Sequence, residues 1–282
     1  MTGSVAAQTV TSPPPPGGAF DWQLRSNWAG SAGIAEGSRN LGDLRHSFWA
    51  AEGTTTLPLG ADRSAVIGLG WKRFDFSGSR ADVPDQLTAL SLKLGYAQTL
   101  SRQWSIRAEV DPGFYSDFED VGSDDFGAPF GVRAIYAASR ELQWAFAVFV
   151  DPRSSVPVIG GVGARWQFAP DWTLLAFLPE PRLEYAVADG VRLHVGASLR
   201  GGTFRVAEDF GRRRGRPQLD NQDIDFREIS AGVGVRWDVS RTLDASLTAG
   251  WMLDRRFEFE DRDLLLNGEG APLVALTIQG SF

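Results

Sequence analysis

The sequence contains no cysteine and only two histidines in 282 residues. Without cysteine there can be no disulfide, thiolate metal site or cysteine nucleophile, and two histidines leave little for a histidine-built metal centre. Acidic residues outnumber basic ones by 35 to 28, which gives a net charge of −7 and disfavours nucleic acid as a partner. No run reaches the ~18–20 apolar residues of a membrane-spanning helix. We therefore expect no metal, no cofactor and no nucleic-acid partner.

Residues 1–19 differ in composition from the rest of the chain. Pro13 to Pro16 followed by Gly17 and Gly18 cannot enter a helix or a strand ladder, so this segment is predicted to be a flexible Pro/Gly-rich leader. It lacks the apolar core of a secretion signal. If the protein is exported, we expect the signal peptide to have been removed already. Residues 20–282 are predicted to form one domain.

From Phe20 onward, apolar and polar residues alternate with a period of two. In the segment 87–96, for example, Leu90, Leu92 and Leu94 alternate with Ser91 and Lys93. Residues i and i+2 share one face of a strand, so each such segment has an apolar face and a face of Gly, Ser and charged residues. The chain is predicted to be all-β.

The connections between these segments favour a single antiparallel up-and-down transmembrane β-barrel over a soluble sandwich. Tight turns, such as the one at 188–190, alternate with long polar loops, such as 208–225 and 260–270, as in outer-membrane barrels. A simple count gives thirteen strands. Because proline cannot donate to a central ladder, we divide the segment 172–187 at Pro179-Glu180-Pro181 and predict fourteen strands, with twelve as the alternative.

Several tryptophans lie within a few residues of the predicted tight turns. Indole prefers the headgroup layer of a membrane, because its ring is apolar and its N–H needs a partner. The predicted membrane-interface aromatics are Trp104, Trp144, Trp166, Trp172 and Trp237.

The C-terminal segment alternates through Val274, Leu276 and Ile278 towards a terminal Phe282. It resembles the closing strand of Gram-negative outer-membrane β-barrel proteins, although Gly280 stands where a bulky residue is commoner. The resemblance implies a porin-like barrel in the bacterial outer membrane, with lipid around it. In that class the final aromatic residue, here Phe282, is part of the signal read by the barrel assembly machinery. The chain is also similar to uncharacterised barrel families, so the resemblance implies a location and a fold but no substrate.

Charged residues on the polar face are predicted to line the lumen. If the turns at 188–190 and 101–103 have three residues, Glu184 faces His194 and Lys93 faces Asp111. The predicted lumen-lining residues are Lys93, Arg107, Glu109, Asp111, Arg133, Arg165, Arg182, Glu184, Arg192, His194, Arg200 and Arg236. They are either wall pairs that satisfy one another or a charged constriction. Because arginine outnumbers acid among them, a pore would prefer anions.

Three functions remain open from the sequence. The first is a passive channel or transporter for small hydrophilic solutes, and the second is a closed barrel with a structural, adhesive or lipid-binding role. The third is an outer-membrane lipid hydrolase, for which only His46 and His194 could supply the base. No Gly-x-Ser-x-Gly motif is present, and Ser47 points away from His46, so we predict no catalytic residues and no enzyme. The sequence leaves the solute and the oligomeric state open.

Overall fold

Alternation of apolar and polar side chains produces fourteen antiparallel strands, and the last strand pairs with the first to close a barrel. The computed structural model describes residues 20–259, 262 and 264–282, so the leader predicted at 1–19 lies outside the described residues. The strands are β1 Phe20–Glu36, β2 Arg39–Pro58, β3 Arg63–Ser77, β4 Gln86–Thr99, β5 Trp104–Val110 with Gly113–Ser116, β6 Phe126–Gly127 with Phe130–Ala137, β7 Leu142–Val150, β8 Val158–Ala169, β9 Trp172–Leu175, β10 Arg182–Ala188, β11 Val191–Arg205, β12 Asp223–Ser240, β13 Leu243–Phe259, and β14 Leu264–Gly268 with Ala271–Ser281. The all-β fold, the barrel and the count of fourteen are confirmed.

The division of the chain at Pro179-Glu180-Pro181 is also confirmed. Strands β9 and β10 pair in antiparallel fashion, with Thr173 opposite Glu184. One predicted loop, 260–270, is shorter than expected because β14 begins at Leu264. Leu264 and Leu266 are buried, and this burial extends the strand.

The two ends of the barrel differ. At one end, called the turn end here, six connections of two to four residues join the strands. Phe20 and Phe282 meet at this end through two backbone hydrogen bonds of 2.8 and 3.0 Å. The opposite end, called the loop end, carries the longer connections, including residues 78–85, 117–125, 151–157 and 206–222.

The apolar face of the strands points outward. Leu92, Val162 and Leu193 are 48, 65 and 47 % exposed, whereas a second packed sheet would have buried them. On β5, Trp104 near the turn end and Phe114 near the loop end are both exposed. Ten residues at ~3.3 Å per residue, tilted by about 40°, separate these two aromatics by about 25 Å along the barrel axis, which is the height of a transmembrane apolar band. Among the described residues, no helix has the length and apolarity needed to cross a membrane.

Strand β11 bends inward before it reaches the loop end. Gly201 and Gly202 have φ of +148° and +154°, and a Cβ at Gly201 would lie 2.0 Å from the carbonyl oxygen of Phe226, so the bend requires glycine. After the bend, Arg205 pairs with Ser116 at the end of β5, and the amide of Asp117 donates to the carbonyl of Arg205 at 3.0 Å. This contact crosses the barrel. At the loop end it leaves nine strands, β1–β5 and β11–β14, in one ring with β6–β10 outside it.

The ring of nine strands is filled by a hydrophobic core. The core contains Phe48, Phe74, Phe76, Phe204, Phe226 and Phe257, all at most 5 % exposed. Phe226 lies at its centre, with ring centroids 4.8 Å from Phe74, 5.2 Å from Phe76 and 4.9 Å from Phe257. This cluster, called the loop-end core below, occupies the part of the lumen through which a straight axial pore would run.

Candidate functional site

A buried polar network lies within the loop-end core. The Glu228 carboxylate accepts from Asn27 at 3.1 Å and from Arg200 at 3.4 Å, and its other oxygen lies 3.1 Å from His46 Nε2. Both His46 and Glu228 are almost fully buried. The network ties β1, β2, β11 and β12 together across the lumen, and so it adds to the closure at the loop end.

The loop of residues 206–222 covers the loop-end core. Its side chains Val206, Phe210 and Leu219 are buried in that core. Arg216 holds the loop down through Glu36 at 2.8 Å and Asp82 at 3.0 Å, and the hydrogen bond to Glu36 raises the pKa of Arg216. Arg213 pairs with Glu119, so this arginine-rich loop binds acidic groups of the neighbouring loops.

The rest of the lumen, inside β6–β10, contains the main cavity, with a volume of about 1030 Å³. Its turn-end mouth is formed by Pro170, Asp171, Arg241 and their neighbours, and small and apolar side chains line the wall further in. Charged side chains also line it: Arg133, Arg165, Arg182, Arg192, Arg236, Arg241, Asp171, Glu180, Glu184, Asp238 and Asp244.

The main cavity reaches an opening in the barrel wall between β8 and β11. Strand β8 is paired with β7 along its length, but on its other edge the pairing stops at Ala164, whose N–H and C=O bond to Ala176. Beyond that point the segment 176–181 turns away from β8 and follows β11, where Pro179 accepts from the amide of Leu199 at 2.9 Å. The free edge at 158–163 therefore has no strand beside it among the described residues. We call this gap the wall opening.

Apolar residues surround the wall opening. Val158 and Val162 on the free edge are 59 and 65 % exposed, and Leu178 on the opposite side is 65 % exposed. Gly160, Gly161, Val162, Phe177 and Leu178 all line the main cavity as well, so the cavity is continuous with the outer surface at this point. The loop 151–157 borders the wall opening at the loop end, where Arg153 pairs with Asp223 at 2.6 Å.

Ten of the twelve charged residues predicted to line the lumen border internal cavities. Six line the main cavity: Arg133, Arg165, Arg182, Glu184, Arg192 and Arg236. His194 and Arg200 line a smaller cavity of about 120 Å³, and Lys93 and Asp111 line one of about 50 Å³. Arg107 and Glu109 bond to each other at 2.5 Å. Whether these residues filter solutes stays a prediction.

The predicted cross-strand pairs are confirmed. Glu184 lies opposite His194, and Lys93 bonds Asp111 at 2.9 Å and Glu52 at 3.5 Å. His194 lies 3.0 Å from the Thr248 hydroxyl rather than near a lipid-facing nucleophile. His46 is also buried inside, so neither histidine lies on the outer face.

The predicted interface tryptophans differ in exposure. Trp104, Trp144, Trp166 and Trp172 are 37–47 % exposed on the outer face, whereas Trp237 is only partly exposed. A second set nearer the loop end was not predicted: Trp28, Trp49, Trp71 and Trp251 are 39–49 % exposed. The positions agree with two membrane interfaces, and the interfacial role stays a prediction.

Two features of the site do not follow from the alternation of apolar and polar residues. The apolar side chains of the loop-end core fall on the face that the alternation assigns to polar residues. This exception to the alternation is the sequence feature that points to a packed core inside the barrel. The wall opening depends on where β9 ends, whereas the Pro179-Glu180-Pro181 segment by itself predicts only a connection between two strands. In the part of the chain that the structure describes, no group of three or more His, Asp or Glu side chains is placed to hold a metal ion.

Comparisons with known proteins give a family and a fold. A family model described as Domain of unknown function (DUF6268) matches residues 67–265. Among solved structures, an outer-membrane channel from Pseudomonas putida F1 is 11 % identical with a TM-score of 0.51, covering 95 % of this chain and 96 % of that one. A deletion mutant of the TodX monoaromatic hydrocarbon channel is 10 % identical with a TM-score of 0.50, covering 95 % and 91 %. No curated protein matches the sequence. The structural likeness shows that this chain shares the outer-membrane β-barrel fold.

Proposed function

The chain belongs to the DUF6268 family, and from its barrel geometry we propose that it is an outer-membrane channel that moves small apolar or amphipathic molecules between the membrane and the periplasm. The observation that carries the proposal is the main cavity, which joins the wall opening to the turn-end mouth while the loop-end core fills the axial path. Outer-membrane barrels have short periplasmic turns, so the turn end faces the periplasm.

The energetics of the wall opening support a side route. Even-numbered residues of β8 direct their N–H and C=O groups to the free edge, because Ala164 does so towards Ala176. Unpaired backbone groups facing lipid cost several kcal/mol each. The edge of a wall strand therefore remains unpaired only where water or a passing molecule can hydrogen-bond to its N–H and C=O groups. The hydrated main cavity behind Gly160 and Val162 supplies the water, and the apolar rim admits molecules that lipid already dissolves.

The outward aromatic sets support the membrane placement. Val158 and Val162 lie on the same strand as Trp166, within the apolar band, so the wall opening faces acyl chains. Surrounding lipid is the partner that this band requires. We also propose that Phe282, 77 % exposed at the seam of β14 and β1, is read by the barrel assembly machinery during biogenesis.

The test uses N-phenyl-1-naphthylamine, an apolar fluorescent dye that an intact outer membrane excludes. Cells that express the protein should take up the dye faster than vector controls. Gly161→Trp should return uptake to the control rate, because a Cβ at Gly161 has open space and the indole then occupies the cavity. Gly122→Trp is the matched control, since Gly122 also has open space but lies in the loop 117–125. Uptake that Gly161→Trp leaves unchanged would contradict the side route.

Conductance measurements on the same protein in planar bilayers distinguish two alternative functions. A passive channel for small hydrophilic solutes would give stepwise currents, although the loop-end core fills its axial route. The loop-end core is the one observation that favours a closed barrel with a structural role. Such a barrel would give neither currents nor dye uptake.

A further inference from the structure

Two half-buried arginines in the main cavity have no acidic partner among the described residues. Arg133 and Arg165 are half-buried and point into the cavity, and neither has a carboxylate within ion-pair distance among the residues described. The Nε of Arg133 has no hydrogen-bond partner, and the carboxylate of Glu109 on the neighbouring strand bonds Arg107 instead.

The other half-buried arginines of this cavity are paired. Arg182 bonds Glu184 at 2.6 Å, Arg192 meets Asp238 at 3.3 Å, and Arg236 meets Asp244 at 3.2 Å. Unpaired half-buried charge is costly, so the two free guanidinium groups indicate a counter-ion that is not part of the chain.

The wall between the two arginines is an apolar trough with small residues at its floor. Arg133 faces Ala147 across β6 and β7, and Ala147 faces Gly161 across β7 and β8. Ala145 faces Gly163 in the next inward pair of β7 and β8. The ring of Phe177 lies against Gly163, where a Cβ would be 2.4 Å from its Cδ1, so the small residues left uncovered by it are Ala145, Ala147 and Gly161. Phe149, Ile159 and Phe177 also line the cavity. We call the surface of Ala145, Ala147 and Gly161, bordered by Phe177, the trough.

We propose that the trough binds a small amphipathic anion, with its apolar body on the small residues and its carboxylate, sulfonate or phosphate group held by Arg133 and Arg165. Guanidinium groups bind such oxyanions through parallel, charge-assisted hydrogen bonds. Arg133 is level with Gly161 at the wall opening, and Arg165 lies four residues nearer the turn end. An anion that enters from the side therefore meets Arg133 first and Arg165 next. This inference rests on the proposed function, since the same cavity is the transport path.

Isothermal titration calorimetry of the purified, detergent-solubilised protein tests the inference with two probes of matched shape, 4-phenylbutyrate and 4-phenylbutan-1-ol. The anion should bind more tightly than the alcohol. Arg133→Gln and Arg165→Gln should each weaken anion binding roughly 10- to 100-fold and leave alcohol binding unchanged, since each removes charged hydrogen bonds. Arg140→Gln, an exposed turn residue outside the cavity, is the charge-matched control. Equal affinities for anion and alcohol, or arginine variants that bind as the parent does, would overturn the inference.

A second variant tests where the apolar body lies. Ala147→Phe fills the trough without a change of charge, so it should weaken both probes, and unchanged affinity for both would contradict this placement. Binding is measured apart from uptake, so the two proposals fail separately. Dye uptake that Gly161→Trp blocks, combined with no preference for the anion, would overturn the anion site alone. Anion binding as expected, combined with dye uptake that does not depend on the protein, would overturn the channel alone.

Discussion

The loop-end core predicts a large difference between inward and outward phenylalanines. Phe226 is 1 % exposed and has four aromatic neighbours, whereas Phe130 is 43 % exposed on the outer face. When the protein folds from water into a bilayer, both rings leave water. Phe→Ala at either position therefore loses the free energy gained by transferring a ring out of water. Only Phe226→Ala also leaves a cavity, because lipid refills the space at Phe130.

The size of this difference follows from the cavity. At about 24 cal/mol per Å³, a residual void on the order of 100 Å³ costs about 2.4 kcal/mol. Lost ring contacts add about 0.5–1.5 kcal/mol per aromatic pair. Phe226→Ala should therefore destabilise the barrel by at least about 2 kcal/mol more than Phe130→Ala.

Reversible urea unfolding in phospholipid vesicles measures both variants on one scale. The slope of the free energy against urea should stay equal between them, which shows that the same surface unfolds. Equal destabilisation by the two variants would refute the reasoning. It would mean that the loop end is hydrated rather than packed, and an axial pore would then be the better reading of the lumen.

Three further predictions use other parts of the barrel. Glu228→Ala should cost about 3–5 kcal/mol in the same unfolding assay, because it leaves the half-buried Arg200 without its partner carboxylate; a cost below about 1 kcal/mol would show that the network is solvated. Leu92→Arg should cost about 2–4 kcal/mol, since it places a charge on the lipid-facing surface, and a negligible cost would place Leu92 outside the apolar band. Arg216→Ala should change global stability by about 1 kcal/mol or less. It should nevertheless speed trypsin cleavage at Arg212–Arg214 on intact cells, because the loop 206–222 loses its contacts to Glu36 and Asp82; an unchanged cleavage rate would show that these ion pairs do not hold the loop.

The wall of the barrel was predictable from the sequence because its rules are local. Alternation assigns each side chain to a face, a proline interrupts a ladder, and a short turn fixes which residues oppose one another. These rules were enough to predict fourteen strands, the inward direction of Arg133 and Arg165, and the contact between Lys93 and Asp111. They depend only on residues that are neighbours along a strand or across one hairpin.

The interior was not predictable because it depends on contacts between distant strands. The bend at Gly201 and Gly202 brings Arg205 to Ser116, 89 positions earlier in the chain, and no local pattern shows that pairing. Once that contact forms, the aromatic side chains of β3, β11, β12 and β13 meet in one cluster. The alternation pattern assigns polar residues to the inner face, so it predicted neither the inward direction of these aromatic side chains nor their contact.

The same bend also explains why the wall opens where it does. When β11 turns inward to meet β5, it leaves the line of β10 before the loop end, and the strands β9 and β10 have only four and seven residues. Strand β8, with twelve residues, then extends beyond its neighbour on that side. Closure of the axial route and opening of the side route are thus two results of one change of direction in β11. A bulkier residue at Gly201 would disturb both, since its Cβ would collide with the backbone of β12.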